Sequence, residues 1–341
     1  MGGEKDRRPR GQNRGGGQSR DVQISKALSL LLRHAAEKEG LKINAQGYAN
    51  VTDVLQWRKL KSIKCSFDEI KHAVDSSDKK RFALLHIPSS IPKESTATAI
   101  ENPGSGVNTQ TESANPDETY SPATSALEAP STTEEQTSTT EQALSMTDDN
   151  PANYLIRATQ GHSMKTVEAA SFLEPLSLDN QSKIPIPDTV VHGTFHGAWP
   201  LILQSGGLKC MTRHHVHFAT GPSLQSVLAA QQEDQAETKQ ETKENKVISG
   251  MRRDAQVLIY LDIRKAMEAG CPFWRSENGV ILSEGLPLPN AEDDTQRVVP
   301  VEFFDVVVEQ KAKMGKIWEK GQVLQELPAK LTKKENPKNR R

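Results

Sequence analysis

Between Pro92 and Asn150 the chain holds eleven acidic side chains against a single base, Lys93, in a background crowded with Ser, Thr and Pro. The stretch shows neither strand alternation nor helical periodicity. Its apolar surface is too sparse to offset the entropy of ordering, so segment 92–150 is expected to be disordered. Any folded core must then be built across it, from the residues on its N-terminal and C-terminal sides. The segment also hides a charge split: it contributes −10 to a formal net charge of −1, leaving +9 for the rest. Met1–Arg20 supplies +4 of that and Pro328–Arg341 supplies +5. Two basic arms suit a polyanion such as RNA, although they also serve solubility.

With 341 residues the chain has room for two domains. No apolar run reaches the length of about 20 residues that spans a bilayer. Met1–Arg20 has no hydrophobic signal segment. The expected setting is intracellular, in nucleus or cytoplasm, with no secretion and no membrane partner. Cys65, Cys210 and Cys271 lie far apart with no Cys-x-x-Cys spacing, which fits a reducing compartment and argues against a zinc knuckle.

Ahead of the insertion, Ile24, Ala27, Leu28, Leu31 and Ala35 mark one stripe of a helix over Val22–Lys38, which Gly40 is placed to end. Gly47–Val51 reads as extended, with Thr52 or Asp53 capping a helix through Trp57. Ser66-Phe67-Asp68-Glu69 is a capping box that opens a third helix. Arg81–Ile87 and Tyr154–Thr159 read as strands on either side of the insertion. Three helices and two strands make a winged-helix plan, its hairpin lengthened by the disordered segment.

A second module begins near Thr189. Val190–Thr194, His215–Phe218, Val257–Asp262, Phe273-Trp274, Gly279–Leu282 and Val298–Val308 read as strands. Ala198–Leu203 and Ile263–Ala269 read as short helices, and Gln231–Asn245 as a polar surface stretch. The fold class is therefore α+β with a mainly antiparallel sheet. The expected limits are a disordered basic arm 1–20, a first lobe 21–187 interrupted by 92–150, a second lobe 188–312 and a basic tail 313–341. Neither Gly-x-Gly-x-x-Gly nor a P-loop occurs, which argues against the usual dinucleotide and nucleotide folds.

Four clusters carry chemistry-bearing side chains. They are Ser25-Lys26-x-Leu28-Ser29-x-x-Leu32-Arg33-His34; Ile156-Arg157-Ala158-x-Gln160-Gly161-His162-Ser163; His192-Gly193-Thr194 with Arg213-His214-His215-Val216-His217; and Ser276-Glu277-Asn278-Gly279-Val280-Ile281-Leu282. Arg157 stands in an otherwise apolar strand, where a charge must find solvent or a partner. His215 and His217 share one strand face and His214 points away. With His192 they form a conceivable zinc trio, but no Cys or carboxylate stands at ligand spacing, and no metal is expected.

In this order and on this coarse plan, the clusters resemble the tRNA 2′-phosphotransferase family, NAD-dependent relatives of the ADP-ribosyltransferases. The resemblance covers Arg20 to about Ile87 and Tyr154 to about Val308; the acidic insertion and Gln231–Asn245 fall between its motifs. It implies a winged-helix RNA lobe followed by an ADP-ribosyltransferase-like lobe, acting on 2′-phosphorylated tRNA; a monomer is the separate expectation for its assembly. It also implies the reaction, a step of tRNA splicing and processing. The 2′-phosphate at a ligated tRNA junction attacks C1″ of the nicotinamide ribose and expels nicotinamide. O2″ then attacks the phosphate, freeing 2′-hydroxyl RNA and ADP-ribose 1″,2″-cyclic phosphate.

The residues that the resemblance assigns to catalysis are Arg33, His34, Arg157 and Arg213. Guanidinium forks and an imidazole suit a phosphate dianion, because Arg stays charged and presents paired donors. It assigns NAD to His192, Gly193, Thr194, Ser276, Asn278 and one of His215 and His217. It assigns RNA to Lys26, Gln160, His162 and Ser163. Protein-modifying relatives carry a Glu at the position of Val280; a phosphate monoester is already a nucleophile and needs no such base. Two alternatives are an ADP-ribosyltransferase that caps nucleic-acid phosphates and a non-catalytic RNA-binding module.

Overall fold

Ser19 opens the first helix by accepting the Val22 N–H, and α1 runs Arg20–Leu30. Its apolar stripe buries Ile24, Ala27 and Leu28, but the ladder then slips by one residue into a π turn over Leu31–Ala35. The Ala36 N–H reaches back to the Leu31 carbonyl at 3.0 Å. The expected helix through Lys38 is thus re-pitched where Arg33 and His34 sit. Such bulges are frequent at functional sites, because the slip turns side chains off the regular face.

The computed structural model describes residues 19–87, 133–168, 171–179, 184–233, 249–252, 254–288 and 296–333. Residues 1–18 and 334–341 of the two basic arms, and 234–245 of the polar stretch, lie outside the described residues. Two residues of the expected disordered arm 1–20 are instead part of the fold. Ser19 caps α1, and Arg20 pairs with Glu69.

Strand β1 (Ala49–Asn50) leads straight into α2 (Val51–Gln56). The cap is Asn50, which accepts the Thr52 N–H at 2.9 Å, rather than Thr52 or Asp53. The chain turns helical immediately after the strand, so the earlier side chain is the one in reach. Helix α3 (Arg58–Ser62) follows, then α4 (Phe67–Asp75) with the expected capping box: Ser66 Oγ accepts from Glu69 N, and Glu69 returns the bond to Ser66 N. Strands β2 (Phe82–His86) and β3 (Tyr154–Ala158) pair antiparallel, in a register that runs from Phe82–Ala158 to His86–Tyr154. β1 joins the far side of β3, making a three-stranded sheet in the order β1-β3-β2.

One expectation for the insertion is overturned. Thr133–Ser145, within the segment read as disordered, forms α5 and docks on β2. The Thr140 hydroxyl accepts the Leu84 N–H at 3.3 Å, and Ala143 and Gln136 are buried. The helix has too few apolar positions to show a stripe. An open strand edge and a few small contacts supply what periodicity does not. Residues 88–132 lie outside the described residues. Ala143→Asp is expected to lower stability by about 3 kcal/mol, because it buries an unpaired carboxylate. Urea unfolding checks this; a change below about 0.5 kcal/mol, typical of surface positions, would mean that α5 does not dock.

The second half is built of antiparallel sheets. Its strands are β4 (Glu174–Pro175), β5 (Val191–Thr194), β6 (Gly207–Lys209), β7 (Val216–Phe218), β8 (Val257–Leu261), β9 (Trp274–Arg275), β10 (Ile281–Ser283), β11 (Leu286–Pro287), β12 (Arg297–Pro300), β13 (Phe304–Glu309), β14 (Gly315–Glu319) and β15 (Gln322–Val323). They form sheets in the orders β15-β14-β13-β8-β5, β4-β9-β10-β7 and β11-β12-β6. Helices α6 (Trp199–Gln204), α7 (Leu224–Glu233) and α8 (Ile263–Glu268) fill connections, and α9 (Ala329–Thr332) follows β15. Every residue of β8 is buried, as expected of its unbroken apolar run.

The region expected to be a basic tail from residue 313 is corrected as well. β14 pairs with β13 and buries Ile317 and Trp318. Two apolar residues between lysines gave no alternation long enough to read as a strand. β4 lies in the segment assigned to the first lobe but pairs with β9 of the second. An apolar cluster also spans the halves, with Ala36 and Met164 against Val280 and Leu282. Among the described residues, no helix is long and apolar enough to cross a membrane.

Candidate active site

Three segments meet where the halves join. The π turn carries Arg33 and His34, the loop after β3 carries Gln160–Ser163, and the run into β7 carries Arg213–His217. Backbone bonds stitch them together: Ser163 N–H donates to the Arg33 carbonyl at 2.9 Å, and His214 N–H to the His162 carbonyl at 3.2 Å. Gly161, with φ +87°, sits between the outer two. A Cβ there would lie 3.5 Å from His217 Nε2 and 3.7 Å from Arg33 Cδ. Those are ordinary contact distances, so it is the left-handed backbone that calls for glycine here.

The electrostatics are those of crowded cations. Burial, then Arg213 and Arg81, push the Arg33 guanidinium down to about 10. Desolvation and Arg252 lower Arg213, which stands at the exposed rim. Among the described residues, no ion pair neutralises either Arg33 or Arg213. His34 is lowered by burial and by both arginines, and its Nδ1 is held 2.8 Å from Ser163 Oγ. His162 is buried and pushed down to about 3, by burial first and then by Arg33 and Arg157.

Buried polar atoms without a hydrogen-bond partner gather here: Arg33 Nε and Nη2, Gln160 Oε1, His162 Nε2 and His217 Nε2. Leaving such groups unmade in an interior is costly, on the order of 1–3 kcal/mol each. Arg33 and His217 meet at Gly161, while His162 Nε2 lies beside Gly47; so many unmet polar groups on the stitched segments are the mark of a binding site rather than of a core.

Arg157 lies deeper, on β3, at 2 % exposure. Its Nη2 donates to Gln136 Oε1 at 2.7 Å, Glu277 lies 3.6 Å away, and the rings of Tyr48 and Phe172 pack on the guanidinium. Burial raises the Glu277 carboxyl, and Arg157 partly opposes that rise. Its Nε has no partner. Arg157 connects to the cluster through His162, whose ring meets the same Phe172 edge-on.

His192, on β5, holds the His217 carbonyl 2.9 Å from its Nδ1, and burial lowers its pKa. Gly193 faces the interior: a Cβ would meet Met251 Cγ at 2.5 Å and Ala255 Cβ at 2.8 Å. Thr194 is buried, and its carbonyl accepts Gln256 N–H at 2.8 Å. Gly193→Ala is accordingly expected to cost about 1–3 kcal/mol through overpacking. Thermal unfolding checks this, and an unchanged melting temperature would mean that Met251 and Ala255 do not press on β5.

His217 and His215 have different surroundings. His217 is held well below the usual imidazole range by burial and then Arg213, and its Nε2 faces Gly161. His215 packs edge-on against Trp274, lies 3.7 Å from Glu284 and is pushed down to about 4 by burial. Ser276 and Asn278 spend polar groups on the protein's own backbone: Ser276 Oγ accepts Val280 N–H, and Asn278 Nδ2 donates to the Lys79 carbonyl across the halves. Val280 is fully buried. Lys26 stands exposed on α1, outside the stitched cluster.

Sequence reasoning missed Glu277, Gln136 and Arg252. Glu277 had a signal, since an arginine in an apolar strand calls for a counter-charge. Gln136 had none, and Arg252 lies in a stretch with no periodic pattern.

Over residues 19–285 the chain matches the RNA 2′-phosphotransferase, Tpt1/KptA family. It is 30% identical to the tRNA 2′-phosphotransferase 1 of Danio rerio over 276 residues, covering 81% of this chain and 84% of the relative. The Bos taurus protein of the same name is 32% identical over 287 residues, covering 84% and 75%. The Saccharomyces cerevisiae tRNA 2′-phosphotransferase is 29% identical over 271 residues, covering 79% and 81%. The match runs through the π turn, the loop after β3 and the strands that carry the histidines, and the chain belongs to the RNA 2′-phosphotransferase, Tpt1/KptA family.

Proposed function

We propose that the protein is a tRNA 2′-phosphotransferase that transfers the splice-junction 2′-phosphate of ligated tRNA to NAD, leaving ADP-ribose 1″,2″-cyclic phosphate and nicotinamide. In this reading the helices with the β1-β3-β2 sheet are a winged-helix RNA lobe, and the later sheets are an ADP-ribosyltransferase-like lobe. The observation that carries it is the pair of mutually repelling, unpaired arginines Arg33 and Arg213 on segments that also hold buried, unpartnered polar atoms, with Arg33 and His217 meeting at Gly161.

Arg33 and Arg213 take the RNA 2′-phosphate, their mutual repulsion relieved by its two negative charges. Arg157 adds its fork from below. His34 is aimed through Nδ1 by Ser163, so Nε2 is the nitrogen that exchanges a proton with a phosphate oxygen. A bound dianion reverses the charge that His34 feels and favours its protonated form. Gln160, His162 and Ser163 hold the RNA side, and Lys26 meets the backbone farther out.

The donor set suits NAD beside this site. Burial keeps His192 and His217 neutral, and a neutral imidazole can accept from a ribose hydroxyl through its free nitrogen. His192, Gly193, Thr194 and His217 hold the nicotinamide ribose, with Ser276 and Asn278 shaping the wall behind it. When bound, NAD supplies an electrophilic ribose carbon with nicotinamide as its leaving group.

The test is nicotinamide release from NAD with matched RNA oligonucleotides bearing a 2′-phosphate or a 2′-hydroxyl. Release only with the 2′-phosphate is the expected result. Release with neither would identify a non-catalytic RNA-binding module.

A further inference from the structure

Helix α5, which the acidic insertion contributes, directs one of its buried side chains onto Arg157. Gln136 is held at both ends: Oε1 accepts from Arg157 Nη2 at 2.7 Å, and Nε2 donates to the Phe172 carbonyl at 3.2 Å. The Phe172 ring lies 4.6 Å from the same guanidinium, and Tyr48 lies 4.9 Å from it. The rings and the amide together fix the plane and the rotation of the fork. Thr140 and Ala143 anchor the helix that holds Gln136.

We propose that Gln136 is a positioning residue for Arg157, holding its guanidinium in the orientation that meets the RNA 2′-phosphate, so that α5 is a working part of the enzyme. This rests on the reading of Arg157 as a ligand of that phosphate. The chemistry of the acceptor supports it. Glu277 already provides one carboxylate at 3.6 Å. A neutral amide fixes one Nη without adding negative charge, so the fork keeps its attraction for a dianion. A second carboxylate in its place would neutralise the arginine and repel the phosphate. The Nε of Arg157 is buried without a hydrogen-bond partner, so Gln136 does not saturate the fork.

The experiment uses the full chain, a 2′-phosphorylated RNA oligonucleotide and NAD, under single turnover. Gln136→Met keeps the volume and deletes the acceptor; Gln136→Glu keeps the shape and adds charge, and melting temperatures verify that the variants are folded. Both are expected to slow phosphate removal by about 10- to 100-fold, as displacement of a positioned group by about 1 Å does. KM for NAD should stay the same. In an Arg157→Lys background, which keeps a cation for Glu277 but removes the fork, Gln136→Met should have no further effect.

Normal turnover by folded Gln136→Met or Gln136→Glu overturns the inference, and so does a loss that persists undiminished in the Arg157→Lys background. Normal turnover by Arg157→Lys alone instead overturns the reading of Arg157 on which the inference rests.

Discussion

Arg213→Ala should lower the rate of 2′-phosphate removal by about 100- to 1,000-fold, or about 2.7–4 kcal/mol, the loss expected when one fixed donor to developing charge is deleted. The effect should fall unevenly on the two steps. Charge builds on the phosphoryl group most strongly when it is transferred, so the second step should suffer more than the first. Nicotinamide release should then outrun formation of 2′-hydroxyl RNA, where the unmodified protein keeps them in step. Arg213 makes no ion pair among the described residues and stands at the rim. Its loss should therefore spare the fold, and the melting temperature should barely change. Uniform slowing of both products would contradict this division of labour.

Mild acid should destabilise the protein through its buried histidines. His162 is pushed down to about 3 and His215 to about 4, and His192 and His217 are lowered in the same direction, all by burial first. In the unfolded chain a histidine titrates near 6.5, so below that pH the unfolded state takes up protons that the folded state refuses. Stability is therefore fully present above about pH 6.5 and is lost as the pH falls toward the folded values, at about 1.4 kcal/mol per unit for each such group. For His162 and His215 alone this comes to about 4 kcal/mol at pH 5. Urea titrations at pH 7 and pH 5 measure it, and His162→Gln should recover about half of that two-residue loss. Equal stability at the two pH values would show that these imidazoles are not buried as neutral groups.

Much of this site is legible in the sequence, for identifiable reasons. The Ser66–Glu69 capping box and the unbroken apolar run of β8 are local signals, and local signals survive into the structure. The four motif clusters are legible because their residue types are rare together. What escapes depends on partners distant in sequence. α5 docks on an open strand edge, and nothing within its own residues announces that edge. Asn50 outcompetes the expected caps because β1 ends directly against α2. The π turn that re-aims Arg33 and His34 leaves the side-chain pattern unchanged and alters only the backbone ladder. Glu277 becomes the partner of Arg157 only when the turn between β9 and β10 meets β3.

The claim that this cluster transfers a 2′-phosphate to NAD is tested most directly by its products. The protein is incubated with a 2′-phosphorylated RNA oligonucleotide, with and without NAD, and RNA and nucleotide products are resolved by mass. The predicted result is 2′-hydroxyl RNA and ADP-ribose 1″,2″-cyclic phosphate in equal amounts, only when NAD is present. RNA that keeps its phosphate joined to ADP-ribose as the final product would contradict the account, and so would phosphate loss that needs no NAD.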